Sequence, residues 1–348
     1  MTTSLQMLLG TALPIIQAPM AGVQGSALAI AVSNAGGLGS LPCAMLGAET
    51  MRAELEAIRA QTTQPFNVNF FCHTPPAVDA AREDRWRAAL APYYAACGID
   101  ANAIPAGPGR TPFSHEVADA LEPFRPPVVS FHFGLPVPEL LARARGWGAK
   151  VLASATTVDE ARWLAARGVD AVIAQGAEAG GHRGIFLGDE LSTQVGLFAL
   201  LPQVVQAVDL PVIAAGGIAD PRGVAAALAL GAAGVQVGTA YLLCPEATTS
   251  AVHRAALGSD AARHTALTNL FTGRPARGIV NRVMRELGPL SDLAPAFPLA
   301  GAALAPLRAW AEARGSGDFS PLWSGQNASG CKAVPAAQLT RELCAGLG

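Results

Sequence analysis

Short apolar runs recur along this chain with no apolar–polar alternation, and most are followed by a stretch that reads as helix. A strand that is apolar at successive positions is buried on both faces, which is the condition of a parallel sheet covered by helices. The runs are Pro14–Pro19, Leu38–Leu41, Phe66–Phe71, Pro127–Phe133, Lys150–Ala155, Ala171–Gln175, Pro211–Ala215 and Val235–Tyr241. Between them, Ser26–Asn34, Glu49–Gln61, Pro138–Trp147, Val158–Arg167 and Pro221–Leu230 read as helices, the first closed by Gly36-Gly37 and the last by Gly231. Eight such units in about 230 residues predict an α/β fold of (β/α)8 barrel type, with a doubly wound sheet as the competing arrangement.

Two segments break the repeat. Residues 72–126 are too long for a loop and carry a helical run around Ala80–Ala91. Residues 245–348 follow the eighth strand and contain more helix. The expected organisation is a barrel from residues 1–71 and 127–244, with the 72–126 insertion and the 245–348 region as helical cap and closure. Charged residues are 14% of the 348, against about 25% usually, and 51% are hydrophobic, which excludes disorder. A net charge of -2 leaves no basic surplus for a nucleic acid. Charge is absent before Glu49, yet a secretory signal opens on basic residues, and Ser33, Asn34, Gly36, Gly37, Gly39 and Pro42 interrupt the only greasy stretch. The six cysteines are scattered without a CxxC pair, as expected of reduced thiols and not of a zinc site. The expectation is a cytoplasmic protein with no metal, no membrane segment and no nucleic-acid partner.

In a barrel, chemistry sits at the C-terminal strand ends. Gly216-Gly217 and Gly238-Thr239 follow the seventh and eighth runs, where glycines let backbone N–H groups approach a phosphate; a plain tight turn is the alternative. Asn69 and Gln175 are amides inside apolar runs and need partners, which a heterocycle such as a flavin or a neighbouring loop could supply. His182 lies in the long, flexible Gly176–Gly184 loop, between Gly180-Gly181 and Arg183-Gly184, where it can meet an anion or take a proton. His132 ends the fourth run and has a weaker case, and Met20 is either core or a backbone donor. Walker A, HExxH, GxSxG and GxGxxG patterns are absent.

The segments QAPMAG (Gln17–Gly22), NAGGLG (Asn34–Gly39), FNVNFF (Phe66–Phe71), VVSFHFGLP (Val128–Pro136) and AQGAEAGGHRG (Ala174–Gly184) resemble those of class I nitronate monooxygenases, formerly called 2-nitropropane dioxygenases. So do PVIAAGGI (Pro211–Ile218), VQVGTAYLLCPEA (Val235–Ala247) and GRPARGIVNR (Gly273–Arg282), and the likeness runs from about Pro14 to the WSGQ motif at Trp323–Gln326. The resemblance implies an FMN-binding barrel that oxidises alkyl nitronates, or nitroalkanes, with O₂ to a carbonyl compound and nitrite by one-electron transfer to the flavin. It implies that Ala18, Pro19 and Met20 line the flavin through backbone groups, and that Asn69 and Gln175 hold its ring and ribityl side. Gly180, with its neighbour Gly181, and Gly217, with its neighbour Gly216, would hold the ribityl and phosphate end together with Gln236, Val237, Gly238 and Thr239. His182 would bind the nitro group, with His132 also in the substrate pocket. Small-molecule substrate and O₂ would be the partners of a monomer or homodimer.

One departure stands out. Where the family has Tyr, Tyr and Lys, this chain has Phe297, Gly301 and Ala305. Tolerated divergence is one reading; an enlarged, apolar pocket for a bulkier biosynthetic substrate is the other. An FMN-dependent NAD(P)H reductase of quinones or enoyl thioesters, and a non-catalytic flavin-binding scaffold, remain as alternatives on the same barrel.

Overall fold

The eight apolar runs form a parallel sheet that closes on itself. The computed structural model describes residues 3–77, 79–100, 104 and 110–347; the chain ends and parts of the 72–126 insertion lie outside the described residues. The strands are β1 (Ile15–Gln17), β2 (Gly39–Pro42), β3 (Phe66–Phe71), β4 (Val128–His132), β5 (Lys150–Ala155), β6 (Ala171–Gln175), β7 (Gly181–His182), β8 (Val212–Ala215), β9 (Gly234–Val237), β10 (Thr265–Thr268) and β11 (Ala276–Ile279). The large sheet runs β1-β9-β8-β6-β5-β4-β3-β2, with every pair parallel. Its edges meet where Gln17 N donates to Leu38 O at 2.9 Å and Leu38 N to Ile15 O at 2.8 Å. Closure removes the edges that a doubly wound sheet would keep, so the barrel reading holds.

Helices α1 (Ser4–Leu9), α2 (Ser26–Asn34), α3 (Ala48–Gln61), α4 (Ala80–Cys97), α5 (His115–Leu121), α6 (Pro138–Gly146) and α7 (Val158–Ala166) occupy the first half. They are followed by α8 (Leu197–Ala207), α9 (Pro221–Ala229), α10 (Ala251–Leu257), α11 (Arg282–Leu287), α12 (Gly301–Glu312) and α13 (Ala336–Glu342). All residues of β3 and β6 are buried, as unalternating strands under helices must be. Inside the barrel, α1 supplies Leu5 and Leu9 to a cluster with Ile16, Leu38, Val128, Leu152, Ile173 and Ile213. That plug explains Gly234, where a Cβ would fall 2.5 Å from Leu5 Cδ2. α13 returns after the long C-terminal excursion to pack beside α2, and its Thr340 hydroxyl meets Tyr241 Oη at 2.9 Å.

A second core joins the insertion to the C-terminal region. Trp86, Leu90, Tyr93 and Tyr94 of α4 pack with Leu304, Leu307 and Ala311 of α12. Trp86 Nε1 donates to Ala300 O at 3.1 Å and Tyr94 Oη to Ala303 O at 2.7 Å. These contacts carry α4 through Pro92 to Cys97, past the expected end near Ala91.

Four strands, β1, β4, β8 and β9, are shorter than their apolar runs, β1 and β9 the most. Pro14 and Pro19 have no N–H for a ladder, so β1 keeps three residues. The eighth strand stops at Val237 instead of Tyr241, because the chain turns at Gly238 into a 3₁₀ helix over Thr239–Leu243. All six cysteines are free thiols. No helix among the described residues is long and apolar enough to cross a membrane.

Candidate active site

The C-terminal ends of the barrel strands surround a cavity of about 190 Å³. Ala18, Pro19, Met20, Asn69, His132, Gln175, Gly180, Gly181, His182, Gly216, Gly217, Gln236, Gly238 and Thr239 all line it. Val237 does not: its side chain is buried in the barrel wall, and its carbonyl accepts from Ala18 N at 2.8 Å.

His182 does not sit in a flexible loop. Gly181 and His182 form β7, which pairs antiparallel with β11 at Arg277 and Ala276. The His182 carbonyl accepts from Gln175 Nε2 at 3.0 Å and from His132 Nε2 at 3.3 Å. Gln175 Oε1 takes Gly184 N at 2.8 Å, so this amide clamps both sides of the histidine. The buried Arg183 guanidinium ties the same loop to Gly176 O at 2.7 Å and Gln175 O at 2.8 Å. Glu160, buried on α7, accepts from Phe186 N at 2.5 Å and fixes the exit. Glu178 caps α8 by accepting from Leu197 N at 2.9 Å, which removes it from the cavity chemistry.

The His182 side chain meets Thr272 Oγ1 through Nε2 at 2.9 Å, and that hydroxyl lies 3.3 Å from the Arg274 carbonyl. With the hydroxyl proton directed to that carbonyl, His182 donates from Nε2 and keeps a lone pair on Nδ1. Burial, then the positive charge of Arg110, holds this imidazole well below its usual range, so it is neutral at pH 7. His132 is pushed down to about 3, chiefly by burial. Its Nδ1 bonds Ser154 Oγ and its Nε2 the His182 carbonyl, so both nitrogens are engaged in holding the backbone of its neighbour.

Aromatic rings enclose His182: Phe297 at 5.4 Å, Trp323 at 5.7 Å, Phe133 at 5.9 Å and Phe71 at 6.1 Å between centroids. Of the three departures noted in the sequence, Phe297 alone reaches this cluster. Gly301 starts α12, where a Cβ would lie 2.7 Å from Phe271 O, and Ala305 is exposed on the same helix. An enlarged pocket at those two positions is therefore not what their replacement produces.

The opposite side of the cavity is built from glycine. Gly216 and Gly217 hold φ of 122° and 70°, conformations that other residues rarely adopt. Gly180 packs directly on the C-terminal segment, where a Cβ would fall 2.5 Å from Gly325 N. Gly325 N donates to Thr239 Oγ1 at 3.0 Å, and Asn327 Nδ2 to Gly217 O at 3.0 Å. Residues Trp323, Gly325 and Asn327 thus complete the wall, a role that the sequence alone did not suggest, although the WSGQ motif was the available signal. Arg110, from the insertion, was likewise missed, lying in a segment with no motif.

These residues fit a flavin. Gln236 Oε1 is buried with no hydrogen-bond partner among the described residues and needs a donor such as a ring or ribityl group. Asn69 Nδ2 is held by Ser130 O and Oγ at 3.2 and 2.9 Å, which leaves its oxygen as an acceptor. The N–H groups of Ala18 and Met20 are already taken by Val237 O and Gln24 Oε1, so the strand-one turn offers a contact surface more than donors. No Asp or Glu lines the cavity among the described residues, which suits an anionic cofactor and an anionic ligand.

A closed barrel with a cavity at the C-terminal ends of its strands has the architecture of the barrel enzymes, which carry their chemistry on that face. A family model described as nitronate monooxygenase matches residues 2–346. A nitronate monooxygenase from Pseudomonas aeruginosa is 44% identical over 99% of this chain and 98% of its own length. One from Paraburkholderia phytofirmans is 44% identical over 97% and 92%. The crystal structure of a nitroalkane oxidase from Streptomyces ansochromogenes superposes with a TM-score of 0.89 at 41% identity, covering 99% of this chain and 97% of that one. This chain belongs to the nitronate monooxygenase family. The family is flavin-dependent, and the protein is an oxidoreductase.

Proposed function

We propose that this enzyme uses FMN and O₂ to oxidise alkyl nitronates, and nitroalkanes through the same site, to a carbonyl compound and nitrite. The observation that carries the reading is His182: a neutral ring, fixed at Nε2 and at its backbone, with Nδ1 left without a protein partner among the described residues beside the cavity. Such a nitrogen can take the α-proton of a neutral nitroalkane, generating the nitronate in place. Gln175 and His132 hold the backbone that aims it, and the ring cluster excludes water around it. Asn69, Gln175 and Gln236 would hold the flavin ring and ribityl chain, and Gly216, Gly217, Gly238 and Thr239 the phosphate. Bound there, FMN supplies the electron transfer between nitronate and O₂. Free thiols throughout agree with a reducing, cytoplasmic setting.

The test is direct. The purified protein should release FMN on heating, identified by mass. With ethyl nitronate in air it should consume O₂ and release acetaldehyde and nitrite. Bound flavin reduced by NADPH, with no nitrite from either substrate, would favour the reductase alternative.

A further inference from the structure

Arg110 brings the insertion to the cavity wall, and one nitrogen of its guanidinium, the buried Nη1, has no hydrogen-bond partner among the described residues. Among the same residues no carboxylate makes an ion pair with it, in a chain whose ion pairs lie elsewhere on the surface. The group stands over the Phe297 ring, 5.4 Å from its centroid, and His182 packs on the same ring at 5.4 Å. The Arg110 carbonyl meets His73 Nε2 at 3.0 Å, and His73 stands edge-on to Phe297 at 4.8 Å, so the backbone there is anchored.

A guanidinium stays protonated at neutral pH, and its buried Nη1 demands an acceptor. The other arginines packed around the cavity have acceptors, although Arg274 Nε is also without a partner among the described residues. Arg183 bonds two carbonyls and Gln194, Arg277 bonds Ala177 O at 2.9 Å, and Arg274 bonds Ile185 O. Only Arg110 among these four lines the cavity.

We infer that Arg110 is the specificity-determining residue that binds the anionic head of the substrate, selecting the nitronate over the neutral nitroalkane. This rests on the nitronate reading above. A planar pair of oxygens bearing one negative charge is the geometry a guanidinium fork matches. Arg110 and His182 pack on the same Phe297 ring, and the negative charge that the substrate gains when His182 removes its proton is balanced by the guanidinium.

The test uses the flavin-loaded enzyme, with inorganic nitrate as an inert planar monoanion. Nitrate binding is followed by calorimetry, and KM is measured for ethyl nitronate and for nitroethane. Arg110→Met should weaken nitrate binding and raise the nitronate KM roughly tenfold to a hundredfold, the worth of a charge-assisted hydrogen bond. The nitroethane KM should move less than about threefold, and flavin content should not change. Arg110→Lys, which keeps the charge but not the fork, should recover part of the loss. Unchanged nitrate binding in Arg110→Met, or equal increases in both KM values, would overturn the inference. Enzyme that binds nitrate through Arg110 but turns over neither substrate would sink the nitronate reading while leaving the anion site standing.

Discussion

Replacing Thr272 with valine removes one hydroxyl from beneath the proposed base and changes the shape of the site little. That hydroxyl lies 2.9 Å from His182 Nε2 and 3.3 Å from the Arg274 carbonyl, on a residue only 4% exposed. In the wild type it accepts Nε2–H, which leaves Nδ1 unprotonated. Without it, Nε2–H is a buried donor with nothing to bond, a state that costs about 1–3 kcal/mol. The ring escapes that cost by carrying its proton on Nδ1, where it no longer has a lone pair for the substrate. Each 1.4 kcal/mol is about a factor of ten, so the base-competent tautomer falls roughly tenfold to a hundredfold. The assay is nitrite release from nitroethane against ethyl nitronate, across a pH series. kcat/KM for nitroethane should fall by that factor, and the limb reporting His182 should move to lower pH. Ethyl nitronate, which needs no proton removed, should change less than about threefold. Thr272→Ser should restore the wild-type profile. Equal losses on both substrates, or no loss on either, would refute the tautomer argument.

Other outcomes follow from the same geometry. His182→Asn should cut nitroethane turnover by roughly 10²–10⁴-fold with FMN still bound, and nitronate turnover less; equal retention of both would show that the ring is not the base. Gly180→Ala puts a Cβ 2.5 Å from Gly325 N, so flavin content as purified should drop by more than half, whereas Gly146→Ala, which meets open space, should leave it unchanged. His132 and His253 have folded pKa values pushed to about 3 and about 4, below the unfolded value near 6.5. The folded state therefore binds fewer protons, and their contribution is complete above pH of about 6.5 and lost as pH falls toward 4 and then 3. The thermal midpoint should decline steadily between pH 7 and 4; a flat profile would contradict the burial of these rings.

The barrel was legible because its strands are buried on both faces, and an unalternating run such as Phe66–Phe71 fits little besides a strand covered on two sides. The glycine end was legible because Gly216-Gly217 and Gly238 recur where barrels bind phosphate. The restraint on His182 was not. A two-residue strand has no periodicity, and its partner Ala276 lies far along the chain. Gln175 and His132 line the cavity as the sequence suggested, but that they also hold the His182 carbonyl was not legible, because a carbonyl partner across the barrel leaves no local mark. The Phe297–Ala305 segment misled in the other direction. Its three departures look like one altered surface, but one residue enters the ring cluster, one starts a helix and one faces solvent. Arg110 was invisible for the plainest reason: charge is common in insertions, and only its place on the cavity wall, together with an Nη1 that has no partner among the described residues, distinguishes it.

The central claim is that this cavity brings a nitronate to a bound flavin. Mixing the purified holoenzyme with ethyl nitronate in the absence of oxygen, while recording the flavin absorbance, tests it most directly. The account predicts rapid loss of the oxidised flavin spectrum, saturating with nitronate, and recovery with nitrite release when air is admitted. A flavin that stays oxidised through the titration would contradict it.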